Sequence, residues 1–257
     1  HTYFAGQGGV WVHNVCPAKL DELKTAHQAL VKQKTKAGKS LDDAWDEAID
    51  EVLEPYSLAA VNRKGQLTAT HTLPPDDGLQ IAFHLFEDAP KGKDPIAILA
   101  RVREKLNLPP YSAAQAARTK TVGAARLAGD DALSFGAPKN WSRWADELRD
   151  EYTSLLDDLL GNAWRQPYPH NGRMIDGAAF LEHAEALSIL RLHKRAGGND
   201  SLAGKAIEIF TDRPTCQLCD GAVSDGISKG LRNLGEALGV TKMTFRAADG
   251  TSVVMAF

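Results

Sequence analysis

Apolar positions recur at helical spacing through the first part of the chain. Leu20, Leu23, His27, Leu30 and Val31 fall on one face, followed by Ala44, Ala48 and Val52, so Pro17 to about Val52 is expected to be helical. Ser40, just ahead of Asp42 and Asp43, has the chemistry of an N-cap, because its hydroxyl can accept a backbone N–H of the next turn. Gly65 to His71 and Leu79 to Phe86 read as strands around the turn Pro74-Pro75-Asp76-Asp77-Gly78. A helix from about Pro95 to Leu106 must then stop before Pro109-Pro110. That proline pair is the expected domain boundary.

Beyond it the pattern alternates. Thr121 to Leu127 and Ala132 to Ala137 read as strands joined through Gly129-Asp130-Asp131. Trp141, Trp144, Leu148, Tyr152, Leu155 and Leu159 mark an amphipathic helix. The loop Pro167 to Gly172 leads to a helix from about Ala178 to Lys194, then a strand, Ala206 to Phe210, and a helix, Gly221 to Leu238. Lys242 to Arg246 and Ser252 to Met255 close the chain as a hairpin turned at Asp249-Gly250. The fold class is therefore α/β, a mixed sheet flanked by helices with a C-terminal antiparallel hairpin, preceded by a mainly helical region.

With 257 residues, the chain has room for one large domain or two ordinary ones. Hydrophobic residues are 43% and charged residues 25%, a globular composition. No stretch reaches the ~18 consecutive apolar residues of a membrane helix, so no membrane span is expected, nor a retained signal peptide. A net charge of −3 argues against a generally basic, nucleic-acid-coating surface but leaves room for a local basic groove. Three cysteines, Cys16, Cys216 and Cys219, are too few for a disulfide scaffold.

Two of them stand in a C-x-x-C, and the chemistry gathers around it. His183-Ala184-Glu185 lies in a predicted helix, Pro214-Thr215-Cys216 follows a predicted strand, and Cys219 comes one helical turn later. Cysteines three apart at a helix N-terminus point their sulfurs the same way, and the helix dipole favours their thiolates. With the imidazole of His183 they make three ligands suited to Zn2+. A closed structural site takes four protein ligands, whereas three leave a position for water, the catalytic arrangement. Glu185 is then placed to shuttle protons without ligating the metal. A redox pair would also be written C-x-x-C, but such motifs follow the first strand of their domain.

H-x-E followed by P-C-x-x-C is the signature of zinc nucleobase deaminases. Here Thr215 separates the proline from the first cysteine. The stretch 111–257 accordingly resembles the cytidine-deaminase superfamily, and Asp249-Gly250 is similar to the branch whose last two strands run antiparallel. Pro167-Tyr168-Pro169 and the Pro-Thr-Cys order resemble double-stranded-DNA cytosine deaminase toxins, which carry His-Val-Glu where this chain has His-Ala-Glu. The resemblance implies His183, Cys216 and Cys219 as zinc ligands and Glu185 as the catalytic proton shuttle. The substrate it implies is a nucleobase, with cytosine in DNA favoured over adenine, RNA or free nucleosides and nucleotides. A zinc-stabilised, non-catalytic binding module is the reading from a different class.

The opening residues carry a second resemblance. A strand (His1 to Phe4), a Gly-rich turn and a second strand (Val10 to Val12) end at His13-Asn14. This order resembles the tail of an intein-like Hint domain, in which the terminal Asn cyclises. Val15 follows instead of a splicing nucleophile, leaving cleavage alone, with His13 and Asn14 as the autocleavage pair. Three parts result: 1–14, the Hint-like tail; 15–110, a mainly helical region of unread role; and 111–257, the deaminase-like domain. Together the two resemblances imply the toxin domain of a bacterial polymorphic toxin. Such an effector is secreted, delivered into a target cell's cytoplasm and neutralised by a cognate immunity protein.

From His183 onward there are nine Lys/Arg against eight Asp/Glu, a net of +1 that neither demands nor forbids a polynucleotide. Arg191, His193, Lys194 and Arg195 cluster at the end of the helix after His183, where the dipole favours cations and phosphate contact is the weaker reading. Trp164, Tyr168 and His170, ahead of His183, are candidate walls of a base-binding pocket. Trp141, Trp144 and Tyr152 read as core.

Overall fold

The computed structural model describes residues 2–5, 10–13, 17–53, 83–87, 92–105, 121–136, 143–170, 173–213 and 229–257. Strands β1 (Thr2–Ala5) and β2 (Val10–His13) pair as an antiparallel hairpin, with Thr2 opposite His13. Helices α1 (Pro17–Lys36) and α2 (Leu41–Leu53) follow. Ser40 caps α2 as its sequence suggests: its Oγ accepts the Asp43 N–H at 3.1 Å and donates to the Asp43 carboxylate at 2.7 Å. His27 ties the pair together, its Nε2 donating to the Trp45 carbonyl at 3.2 Å. Helix α3 spans Pro95–Lys105.

The central sheet has five strands in the order β4-β3-β7-β8-β9. Its members are β3 (Gly123–Leu127), β4 (Ser134–Gly136), β7 (Ala206–Thr211), β8 (Lys242–Ala247) and β9 (Ser252–Ala256). Only β7 and β8 run parallel; β3–β4, β3–β7 and β8–β9 are antiparallel. The sheet is mixed and flanked by helices, as the alternating pattern implies. Helix α4 (Arg143–Leu160), a small hairpin of β5 (Tyr168–His170) and β6 (Arg173–Ile175), α5 (Ala184–Arg195) and α6 (Lys229–Ala237) complete the described elements. Among the described residues no helix is long and apolar enough to cross a membrane.

The period of two in the strands sorts side chains onto two cores. Ala125, Ile207, Ile209, Met243, Phe245 and Met255 face α4, α5 and α6. On the other face, Ala124 and Phe210 join Phe135, Val122 and the helical region through Trp45, Ile49, Phe83, Phe86, Leu99 and Val102. This second core thus draws on residues from both sides of the boundary expected at Pro109-Pro110, which itself lies outside the described residues.

Four local expectations change. Residues 83–86, the described part of the strand read over Leu79 to Phe86, form a turn of helix. Phe83, Leu85 and Phe86 are all buried there, with Phe83 stacked on Phe135 at 5.4 Å and Phe86 edge-on to Trp45 at 5.3 Å. A short apolar run fits either period, and packing decided it. The loop before Gly172 is part of the β5–β6 hairpin, with Tyr168 opposite Ile175. In α4 the buried stripe is Leu148, Tyr152 and Leu156, whereas Leu159 is 53% exposed. Last, the helix expected over Ala178 to Lys194 is broken at His183. Gly65 to His71 lies outside the described residues, as does the first part of the Gly221 to Leu238 helix.

A close glycine-lined contact holds α5 against β3 and β4. Gly123 and Gly136 are directly opposite each other across the two strands, and both face Ala184. A Cβ on Gly136 would press into the Ala184 carbonyl oxygen and come within 2.5 Å of the Ser188 nitrogen. On Gly123 it would meet the Ala184 carbonyl at 3.3 Å, a contact a small shift relieves. Gly136→Ala is therefore expected to cost about 2–3 kcal/mol by forcing backbone apart, and Gly123→Ala about 1 kcal/mol or less. Urea unfolding midpoints check the ranking; equal costs would mean that α5 slides freely over the strands.

Candidate functional site

His183 is the joint between two helical segments. A 3-10 turn, Gly177–Glu182, begins under Asp176, whose Oδ1 accepts the Ala178 N–H at 2.8 Å. It ends when the His183 N–H donates to the Phe180 carbonyl at 3.0 Å. His183 itself is extended, φ −93° and ψ 148°, and its carbonyl accepts the Leu187 N–H at 3.1 Å, opening α5. It is the N-cap of α5 and not an interior residue, which corrects the continuous helix. Its imidazole makes no capping bond to that helix. Burial of Phe180 and Leu181 on the 3-10 side and Ala184 on the α side fixes the break.

Glu185 lies in the first turn of α5 and is only 3% exposed. Burying a carboxylate is costly, and a helix N-terminus is where the cost is least, because the first-turn N–H groups carry partial positive charge. Two of the four predicted site residues are thus brought together at one helix end.

Cys216 and Cys219 lie outside the described residues, within 214–228. Both flanks of that segment are described, and both come back to the same place. On one side, Thr211 ends β7 directly opposite Gly123, the glycine under Ala184. On the other, Gly230 in the first turn of α6 packs on Phe180, three residues before His183; a Cβ there would lie 2.6 Å from the Phe180 ring. The described residues on the two sides of that segment, Thr211 and Gly230, thus neighbour Gly123 beneath Ala184 and Phe180 of the preceding 3-10 turn. Among the described residues no group of three His, Cys, Asp or Glu converges. His183 with two thiols is a borderline-soft donor set that fits zinc.

The end of β7 is fastened. Thr211 Oγ1 donates to the Arg213 carbonyl at 2.7 Å. Asp212 is buried; its Oδ1 accepts the Val122 N–H at 3.2 Å and its Oδ2 pairs with Arg103 Nη1 from α3. Burial pushes the Asp212 carboxyl above its ordinary range, opposed by the Arg103 charge. Sequence reading missed this pair, as it missed Gly123, Gly136 and Gly230. Asp212, polar at the end of an apolar strand, was the visible signal for the first.

The other candidates separate. Trp164 is buried, edge-on to Phe180 at 6.0 Å, with Nε1 donating to Asp157 at 3.0 Å. It props the 3-10 turn that leads to His183. The backbones of Tyr168 and His170 belong to β5; their side chains are outside the described set. His13 closes β2 opposite Thr2, and Asn14 is outside the described residues. Tyr152 lies in the core as expected; burial, then the charge of Glu151, pushes its phenol well above the ordinary range.

The basic cluster ending α5 is used internally. Arg191 pairs with Glu87 at 2.6 Å and Lys194 with Glu151 at 2.8 Å. His193 sits between the Tyr152 hydroxyl and the Asn199 carbonyl, the latter accepting from Nε2 at 2.7 Å. Arg195 donates to the Leu133 and Ala132 carbonyls at 2.5 and 3.0 Å. Arg195→Ala is expected to cost about 1.5 kcal/mol or more, because two carbonyls lose a charged donor. Lys194→Ala should stay under about 1 kcal/mol, its pair being exposed. Chemical denaturation of both variants measures the difference.

No protein-family model, curated protein or solved structure matches the chain.

Proposed function

We propose that residues 111–257 form a zinc-dependent hydrolytic deaminase acting on a nucleobase, with cytosine in DNA as the substrate the resemblance favours. The observation that carries this reading is the convergence at the start of α5. A half-buried His183 caps the helix, a buried Glu185 follows two residues later, and both flanks of the Cys216–Cys219 segment abut the same helix end. The antiparallel closing pair β8–β9 further supports a cytidine-deaminase-like fold of the branch the sequence resembles.

In this reading His183, Cys216 and Cys219 hold the metal. Zinc there supplies the Lewis acidity that makes water nucleophilic near neutral pH. Glu185 would carry one proton of the attacking water to the ring nitrogen, where it stays, and then the second, from the newly formed hydroxyl, to the departing amine. A C–O bond forms, the exocyclic C–N bond breaks, and ammonia leaves, so cytosine becomes uracil. The close packing of α5 on Gly123 and Gly136 holds the helix end, and with it the carboxylate, at a fixed distance from the sheet. Secretion, delivery into a competitor's cytoplasm and an immunity partner belong to the same reading, through the Hint-like tail.

Glu185→Gln keeps shape but cannot cycle a proton. It is expected to retain zinc and thermal stability while turnover falls by about 10² or more. Cys216→Ser and Cys219→Ser should each lose zinc and activity together. Sequencing DNA and RNA from cells expressing the parent and Glu185→Gln identifies the base changed. A fully active Glu185→Gln, or an active protein free of zinc by elemental analysis, overturns the mechanism.

The tail gives a separate expectation. With the complete upstream Hint-like domain attached, the chain should cleave after Asn14 without joining the flanks. Mass spectrometry showing Asn14→Ala cleaved as well as the parent contradicts this.

A further inference from the structure

Strand β9 is the outer strand of the described sheet, and its far edge is open. The Phe257 N–H donates to the Thr241 carbonyl and the Ala247 N–H to the Thr251 carbonyl. In an antiparallel pair such bonds recur at every second residue. Val253 and Met255 therefore face β8, and the N–H and C=O groups of Ser252, Val254 and Ala256 point away from the sheet. Of these, the Ala256 carbonyl accepts from Arg232 Nη1 at 3.3 Å, and the others have no partner among the described residues. Val254 is 60% exposed, with Ser252 and Ala256 exposed beside it. Folded proteins blunt such edges with charges or prolines. The run Ser252-Val253-Val254-Met255-Ala256 carries neither.

The side chains around that edge are basic. On the face that Val254 shares with Thr244, register puts Arg246 opposite Ser252 and Lys242 opposite Ala256. Both cations are exposed, and each has only a small residue between it and the edge. These are the non-hydrogen-bonded pairs, in which facing side chains come closest. Glu208 is shared by Arg126 at 2.7 Å and Arg246 at 3.1 Å, so the patch keeps a positive excess. Arg232 adds a further cation at the Ala256 end.

We propose that the β9 edge is a docking surface for an extended acidic segment of a partner protein, which adds to the sheet as its next strand. Strand addition satisfies the open backbone groups, and alternate side chains give specificity. The register specifies a pattern. Acidic residues belong beside Ser252 and Ala256, toward Arg246 and Lys242, and an apolar residue beside Val254. A second copy of the chain fits less well. Pairing two β9 strands about a two-fold axis at Val254 sets Ser252 opposite Ala256. Arg246 of one copy then lines up with Lys242 of the other across small side chains, and like charges so placed repel. A phosphate chain would meet the cations but leave the Ser252 and Val254 carbonyls without a donor. The surface is formed by described strands and does not depend on the zinc reading.

The test is amide NMR of the full chain, titrated with acetyl-Thr-Glu-Thr-Val-Thr-Glu-Thr-amide and with the same peptide carrying Lys for Glu. The acidic peptide is expected to shift the Ser252, Val254 and Ala256 amides, and the lysine peptide to bind about tenfold or more weakly. Val254→Pro removes an outward N–H without touching the bonds to β8, and Lys242→Glu reverses one charge. Each should weaken the acidic peptide about tenfold. Lys242→Glu should also bind the lysine peptide more tightly than the parent does. If Val254→Pro does not fold, Lys242→Glu decides. No shift of these amides at millimolar acidic peptide, or equal binding of the two peptides, overturns the proposal. So does a parent-like response in Lys242→Glu or in folded Val254→Pro. A concentration-dependent dimer of the parent that Val254→Pro abolishes assigns the edge to a second copy, and an oligothymidylate that shifts the same amides more tightly assigns it to nucleic acid. Either result also overturns the proposal.

Discussion

The approach of α5 to the β3–β4 pair is the constraint on which the rest of the structure depends. Two glycines opposite each other remove the side chains that would keep a helix at its usual distance, and the Ala184 and Ser188 backbones settle into the gap. His183, immediately before Ala184, takes an extended backbone and opens the helix. Glu185, one residue beyond the fixed point, is carried into the interior.

That contact also explains why a carboxylate is buried there. Burying a carboxylate such as that of Glu185, 3% exposed, is costly. The helix end lowers the cost through its partial charge without removing it. On the proposed reading, a buried carboxylate in the opening turn of the helix, two residues from His183, is suited to proton transfer. The sheet serves the same end from below: Gly123 under Ala184 is also the partner of Thr211, so the strand leading to the cysteine segment emerges beneath the helix end.

Much of this was legible in the sequence, for definite reasons. Strand β8 alternates strictly and the β8–β9 hairpin is turned by Asp249-Gly250, so period and turn chemistry agreed. Ser40 announced α2 because capping is local. His183 and Glu185 were singled out by the resemblance to the H-x-E motif, and the structure places both at the start of α5. Residues 83–86 were not, because four residues cannot display a period and their conformation follows from Trp45 and Phe135, far away in the chain. The break at His183 escaped for a related reason: a 3-10 turn followed by an α-helix leaves the same apolar spacing as one continuous helix, and only the glycines opposite reveal it. Arg103 and Asp212 are ordinary charged residues until the fold buries them together.

The basic residues that end α5 are engaged within the fold. Four basic residues within five positions look like a phosphate-binding patch, and the helix dipole there already favours cations. Each is nonetheless engaged: Arg191 by Glu87, His193 by Tyr152 and Asn199, Lys194 by Glu151, and Arg195 by two carbonyls of the turn before β4. Recruiting them to phosphate would mean breaking contacts that fasten α5 to the helical region, to α4 and to the β3–β4 turn. Those same contacts steady the helix whose other end carries His183 and Glu185. The basic end of α5 therefore anchors the helix.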